Sequence, residues 1–74
     1  MEYELVHEIR NQCPNNQMRD VFFKEIETDD PVEYVRRSIS GEITGLTADR
    51  HADGGMTVCV SVDGLSQIFT FTPI

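Results

Sequence analysis

The stretch MTVCVSVDGLSQIFTFT, residues 56–72, contains two alternating apolar runs separated by Asp63 and Gly64. An Asp-Gly pair between two such runs is a strong signal for a two-residue β-hairpin turn. With this pair at the centre of the turn, Val58 lies opposite Phe69. The same register predicts one core face, made of Met56, Val58, Val60, Val62, Leu65, Phe69 and Phe71.

A third strand, EITGLTADR at 42–50, precedes this hairpin and completes a three-stranded meander. The connecting tip fits a three-residue loop, 52–54, in which Gly54 adopts the left-handed conformation that a bulged hairpin needs. This loop aligns Leu46 with Val60, so that the apolar residues of all three strands share a face. The composition of the tip is therefore explained without a ligand.

The same tip carries Asp49, His51 and Asp53 at alternate positions. Alternate residues of a strand point the same way only until the turn begins, so three ligands here would form a weak metal site. We therefore predict no metal and no cofactor at this tip.

The N-terminal half begins with EYELVHEIR, residues 2–10, whose alternation predicts a half-buried strand with His7 on its apolar face. The next run, MRDVFFKEIE at 18–27, carries apolar residues at consecutive positions, including Phe22 and Phe23. Apolar residues on both faces predict a central or bulged strand.

The segment DDPVEYVRRSISG, residues 29–41, changes to helical spacing. Asp30 is placed to cap the helix, Pro31 takes the first helical position and Gly41 is the expected stop. The chain is thus predicted to be a single α+β domain, residues 1–74, in the order β-β-α-β-β-β. Its antiparallel sheet ends in the C-terminal meander, packed on one short helix.

Composition narrows the function classes. Six basic and thirteen acidic residues give a net charge of −7, which repels the phosphate backbone of nucleic acids. No stretch approaches the roughly 20 apolar residues that span a bilayer, and the N-terminus lacks a basic leader followed by an apolar core. We therefore expect a soluble cytoplasmic protein with neither nucleic acid nor membrane as a partner.

Four side chains are candidates for chemistry: Cys13, His7, His51 and Cys59. Two cysteines are too few for a disulfide framework or a four-ligand zinc site, but Cys13 occupies a polar loop where a thiol is accessible. For His7, a hydrogen bond to backbone is the expected role. A thiol-redox or metal site centred on Cys13 would require the fold to bring His7, His51 or Cys59 to it.

No catalytic signature such as G-x-S-x-G or H-E-x-x-H occurs, which favours a non-enzymatic protein. A domain of 74 residues buries only about 60% of its unfolded surface, so a protein partner would add stability. We expect an interaction module that acts as a homodimer or as an accessory subunit of a complex. The acidic residues expected to face a partner are Glu25, Glu27, Asp29, Asp30 and Glu33.

Self-association is expected through one of two surfaces. The final strand, with QIFTFT at 67–72, carries no charge and is expected at a sheet edge, where unpaired backbone groups invite pairing. The alternative is the uncharged face around Cys59, Ile68 and Thr70.

Overall fold

The computed structural model describes residues 1–11 and 19–74. These residues form five strands and one helix: β1 (Glu2–Asn11), β2 (Arg19–Glu27), α1 (Pro31–Ser38), β3 (Ile43–Arg50), β4 (Met56–Val62) and β5 (Leu65–Pro73). Their order is the predicted β-β-α-β-β-β. The α+β class fits only loosely, because the helix has eight residues and most of the described chain is strand.

The strands form one antiparallel sheet in the order β2-β1-β5-β4-β3. Strand β1 pairs with its sequence neighbour β2 on one side and with β5 on the other. The predicted registers of the meander are confirmed: Val58 lies opposite Phe69, and Leu46 lies opposite Val60. Cys59 lies opposite Ile68 on the other face.

Both predicted turns are present. Asp63 and Gly64 have φ of 49° and 79°, the left-handed conformation that a type I′ turn requires at both central residues. At the other tip, Gly54 has φ of 90°, and the His51 N–H donates to the Gly55 carbonyl at 2.9 Å. The loop between these two bonded residues is therefore the predicted 52–54.

Helix α1 begins as predicted. The Asp30 carboxylate accepts a hydrogen bond from the Glu33 N–H at 3.3 Å, and Pro31 follows the cap. The prediction that Gly41 stops the helix is wrong, because the helix ends at Ser38 and Ile39 is already extended. The Ser38 hydroxyl donates to the Tyr34 carbonyl at 2.8 Å, one helical turn earlier in the chain.

The core lies between α1 and one face of the sheet, which we call the covered face. The helix contributes Val35, and the Tyr34 ring meets Phe71 edge-on at a centroid distance of 6.1 Å. The buried apolar residues are Tyr3, Leu5, Ile26, Val35, Val58, Val60, Val62, Phe69 and Phe71. Met56 and Leu65, expected in this core, are only half-buried.

Two predicted strand positions are wrong. Strand β5 is the central strand of the sheet, with β1 and β4 on either side, so its edge cannot pair with another chain. Strand β2, expected to be central or bulged, is an edge strand with an unbroken register from Arg19 to Glu27. The cause is β1, which inserts between β2 and β5 and covers one edge of each. The described residues include no helix of the length and apolarity needed to traverse a lipid bilayer.

Candidate functional site

The edge strand β2 exposes two large aromatic side chains. Phe22 is 54% exposed and Phe23 is 72% exposed. Because the two residues are consecutive in a strand, their side chains point to opposite faces of the sheet. Phe22 lies on the covered face, at the rim of a groove that it shares with Tyr34 and Ser38 of α1. Phe23 lies on the opposite face, against which no described element packs. We call this second face the open face.

The hydrogen bonds around β2 show which of its backbone groups point outward. The Thr28 N–H donates to the Met1 carbonyl at 3.1 Å, so the pair of residues 1 and 28 is a hydrogen-bonded one. Hydrogen-bonded and non-hydrogen-bonded pairs alternate along an antiparallel ladder. Even-numbered residues of β2 therefore bond to β1, and the odd-numbered residues direct N–H and C=O away from the sheet.

The hydrogen bonds on the other side of β1 agree with this phase. The Ile74 N–H donates to the Glu2 carbonyl at 3.1 Å, so even-numbered residues of β1 bond to β5 and odd-numbered ones bond to β2. No strand lies beyond β2 in the described part of the chain. Exposed Phe23 is thus one of the residues whose backbone groups face the free edge, together with Val21, Glu25 and Glu27.

The open face beside Phe23 is acidic at one end. Glu2 lies opposite Glu27, and Glu4 lies opposite Glu25, so carboxylates face each other across the β1–β2 ladder. Like charges at directly opposite positions destabilise a sheet. Sequence reasoning missed Glu2 and Glu4 as members of this group: their alternation placed them on an outer face, but nothing in the local pattern paired β1 with β2 in this register.

The five acidic residues expected to face a partner divide between two places. Glu25 and Glu27 are exposed on the open face. The other three follow β2 and have partners within the chain: Asp29 with the N-terminal amine at 3.4 Å, Asp30 as the helix cap, and Glu33 with Arg37 at 3.1 Å. Only the first two are continuous with the exposed aromatic residues.

His7 lies in a groove of about 350 Å³ on the covered face. Its ring stacks on Phe69 at a centroid distance of 4.0 Å, and its Nε2 is 2.8 Å from the Gln67 Oε1. The expected hydrogen bond to backbone is therefore replaced by one to a side-chain amide, because Gln67 projects from the neighbouring strand on the same face. Phe22 forms part of the groove wall, with its ring centroid 6.0 Å from that of His7.

The hairpin tip uses its polar side chains for its own turn. The Asp53 carboxylate accepts from the Gly55 N–H at 2.8 Å, and the His51 Nε2 lies 2.7 Å from the Thr57 hydroxyl. Asp53 therefore serves as a turn residue of the kind that Asp side chains commonly form. His51 is held against β4, away from the end of the tip.

Cys59 is half-buried on the open face, where it lines a groove of about 500 Å³. Arg10, Thr47 and Ile68 also line this groove. Cys13 lies outside the described residues. Because His7 is on the covered face and Cys59 on the open face, the sheet itself separates these two candidates.

Within 1–11 and 19–74, no group of three or more His, Cys, Asp or Glu side chains is arranged to hold a metal ion. His7, His51 and Cys59 lie at three separate places in the sheet. The aromatic edge at Phe22 and Phe23 is an apolar surface that the fold leaves without cover. Comparisons with known proteins matched no family model, no curated protein and no solved structure.

Proposed function

We propose that this chain is a non-enzymatic protein-interaction module, acting as a homodimer or as an accessory subunit of a complex, and that β2 is its contact element. The observation that carries the proposal is the exposure of Phe22 and Phe23 on an unpaired edge. Long edge strands that expose apolar side chains are pairing sites for other chains. Aromatic side chains are also enriched in the cores of protein interfaces.

The position of the exposed residues supports this proposal. Exposed apolar residues scattered singly over a surface are ordinary, whereas a continuous patch marks a contact surface. Phe23 lies opposite Val6 on the open face, and Val6 lies opposite Thr70 on its other side. The patch therefore extends from the free edge toward the middle of the sheet without an intervening charge.

The acidic residues beside the patch favour a partner strand that places neutral or basic residues opposite them. Glu25 and Glu27 are exposed, and each already faces another glutamate across the ladder. Charges at the rim of an interface contribute mainly to partner choice and to the rate of association. In this proposal Phe22 and Phe23 supply the binding energy and the carboxylates supply selectivity.

A photo-crosslinking experiment in the cells that produce the chain tests this proposal. Phe23 is replaced by benzoylphenylalanine, which keeps an aromatic ring at the edge of β2. The matched control carries the same residue at Ala48, an exposed position on the opposite edge strand β3. We expect discrete protein adducts from position 23 and none of matching mass from position 48. Absence of adducts at position 23, or the same adducts at both positions, would overturn the proposal.

A further inference from the structure

We infer that the partner of β2 is a second copy of this chain, paired antiparallel through β2 about a two-fold axis at Phe23. This inference rests on the proposed function and names the partner. The two copies together form one continuous ten-stranded sheet.

The two edges of the sheet are not equivalent. Strand β3 has a register irregularity between Ile43 and Gly45, and bulges of this kind protect an edge from pairing. Strand β2 has nine residues in unbroken register. The large exposed apolar residues among the described strands, Phe22 and Phe23, both belong to β2. Strand β2 is therefore the edge that is open to pairing.

The outward groups of β2 are complementary to themselves. The strand runs from Arg19 to Glu27, so Phe23 is its midpoint. When two copies overlap completely, Phe23 faces Phe23 of the second copy, and Val21 faces Glu25. Every odd-numbered residue then lies opposite an odd-numbered residue of the second copy. The odd-numbered residues are the ones whose N–H and C=O groups point outward, so these groups can bond to each other. Full overlap thus forms about ten backbone hydrogen bonds, two at each hydrogen-bonded pair.

The side chains match in the same register. Residues directly opposite in a sheet share a face, so the two Phe23 rings adjoin on the open face. On the covered face Phe22 lies opposite Lys24 of the second copy, which places an ammonium group beside an aromatic ring. The position of Arg19 lies opposite that of Glu27. No acidic residue is opposite another acidic residue across this ladder.

The charge of β2 permits self-pairing although the whole chain is strongly acidic. The strand contains Arg19 and Lys24 against Asp20, Glu25 and Glu27, a net charge of −1, whereas the chain carries −7. Most of the repelling charge therefore lies away from the paired strands. At distances beyond about 8 Å, exposed charges are largely screened at physiological ionic strength.

Sedimentation analysis with two proline variants tests the inference. Proline at position 25 removes an outward N–H, because odd-numbered residues of β2 do not bond to β1. The control is Ala48→Pro: the His51 N–H bonds to Gly55, so even-numbered residues of β3 direct their N–H outward at the other edge. Glu25→Thr controls for the loss of charge. We expect the wild-type chain, Ala48→Pro and Glu25→Thr to be dimeric at about 0.1 mM. For Glu25→Pro we expect the dissociation constant of the dimer to rise at least about tenfold.

A disulfide test covers the case in which Glu25→Pro fails to fold. Residues of a hydrogen-bonded antiparallel pair have Cα atoms about 5.5 Å apart, within the range of a disulfide. In Phe23→Cys the two substituted positions face each other, whereas in Glu25→Cys each faces Val21. We expect oxidation to link two copies through position 23 but not through position 25, as located by peptide mass mapping.

Any of four results would overturn the inference. A wild-type chain that is monomeric at about 0.1 mM does not self-pair. Dimers that persist in folded Glu25→Pro, or linkage through position 25 rather than position 23, indicate a different interface between copies. Adducts at position 23 that contain a different protein, formed by a monomeric chain, exclude the second copy while supporting the proposed function.

Discussion

The hairpin of β4 and β5 and the edge strand β2 are both rich in apolar residues, yet only the hairpin is covered. In the hairpin the apolar residues alternate, so Val58, Val60 and Phe69 reach the same face and are buried beneath α1. In β2 the two phenylalanines are consecutive, so one side chain points to each face. A single helix covers one face only. Apolar residues at alternate positions can therefore all be buried within one chain. Apolar residues at consecutive positions of an edge strand need a second covering surface, which one helix does not provide.

The length of the helix explains why part of the covered face is also exposed. Eight residues of α-helix are about 12 Å long at about 1.5 Å per residue. Five strands about 4.8 Å apart extend about 19 Å from the first to the last. The helix packs over β4 and its neighbours and leaves Phe22, on the far edge, 54% exposed. Because about 12 Å of helix is shorter than the roughly 19 Å width of the sheet, α1 leaves part of the covered face exposed in any orientation.

Truncation of one phenylalanine in each region tests this contrast most strongly. Phe71→Ala removes a fully buried ring that contacts Tyr3 and Tyr34, and we expect a loss of about 3–5 kcal/mol in the free energy of unfolding. Phe23→Ala removes an exposed ring, and we expect a change within about 0.5 kcal/mol. Denaturant unfolding at micromolar concentration, where self-association is weakest, measures both. Equal losses would mean that β2 is covered within one chain.

Two glycine substitutions test how closely the hairpin half is packed. Gly55 is buried, and a Cβ atom there would collide with the Phe71 carbonyl and lie 3.0 Å from the Asp53 carboxylate. We expect Gly55→Ala to destabilise the fold by about 1–3 kcal/mol. The control is Gly45→Ala, because a Cβ at Gly45 meets no atom within 4 Å. Thermal unfolding of the two variants should differ clearly, and similar midpoints would contradict the close approach at Gly55.

Removal of the helix cap should produce a smaller loss of stability than Phe71→Ala or Gly55→Ala. Asp30→Ala leaves the Glu33 N–H without its carboxylate acceptor, and we expect a loss of about 0.5–2 kcal/mol. Because α1 supplies Val35 to the core, a weaker helix reduces the cover over β4 and β5. Chemical denaturation measures this loss, and Asp29→Ala, which leaves the cap intact, is the control. An unchanged stability in Asp30→Ala would show that packing alone holds the helix.

The candidate site was only partly accessible to prediction. The run VFFKEI showed that β2 has apolar residues on both faces, but the expected explanation, a central or bulged strand, was wrong. The same pattern at an edge leaves both rings exposed instead. The side-chain partner of His7, Gln67, is 60 residues away in sequence, and no local periodicity could indicate it. The facing pairs of glutamates on β1 and β2 were missed for the same reason.

The strands, the helix and the registers of β3 with β4 and of β4 with β5 followed from local sequence. The Asp63-Gly64 turn, the 52–54 loop and the Asp30 cap depend on residues close together in the chain, so these features could be predicted from the sequence. The position of β1 between β2 and β5, which makes β5 central and β2 an edge strand, was set by the packing of the whole sheet. That order depends on pairing residues far apart in sequence, and its free energy comes from burial shared by the whole sheet and the helix.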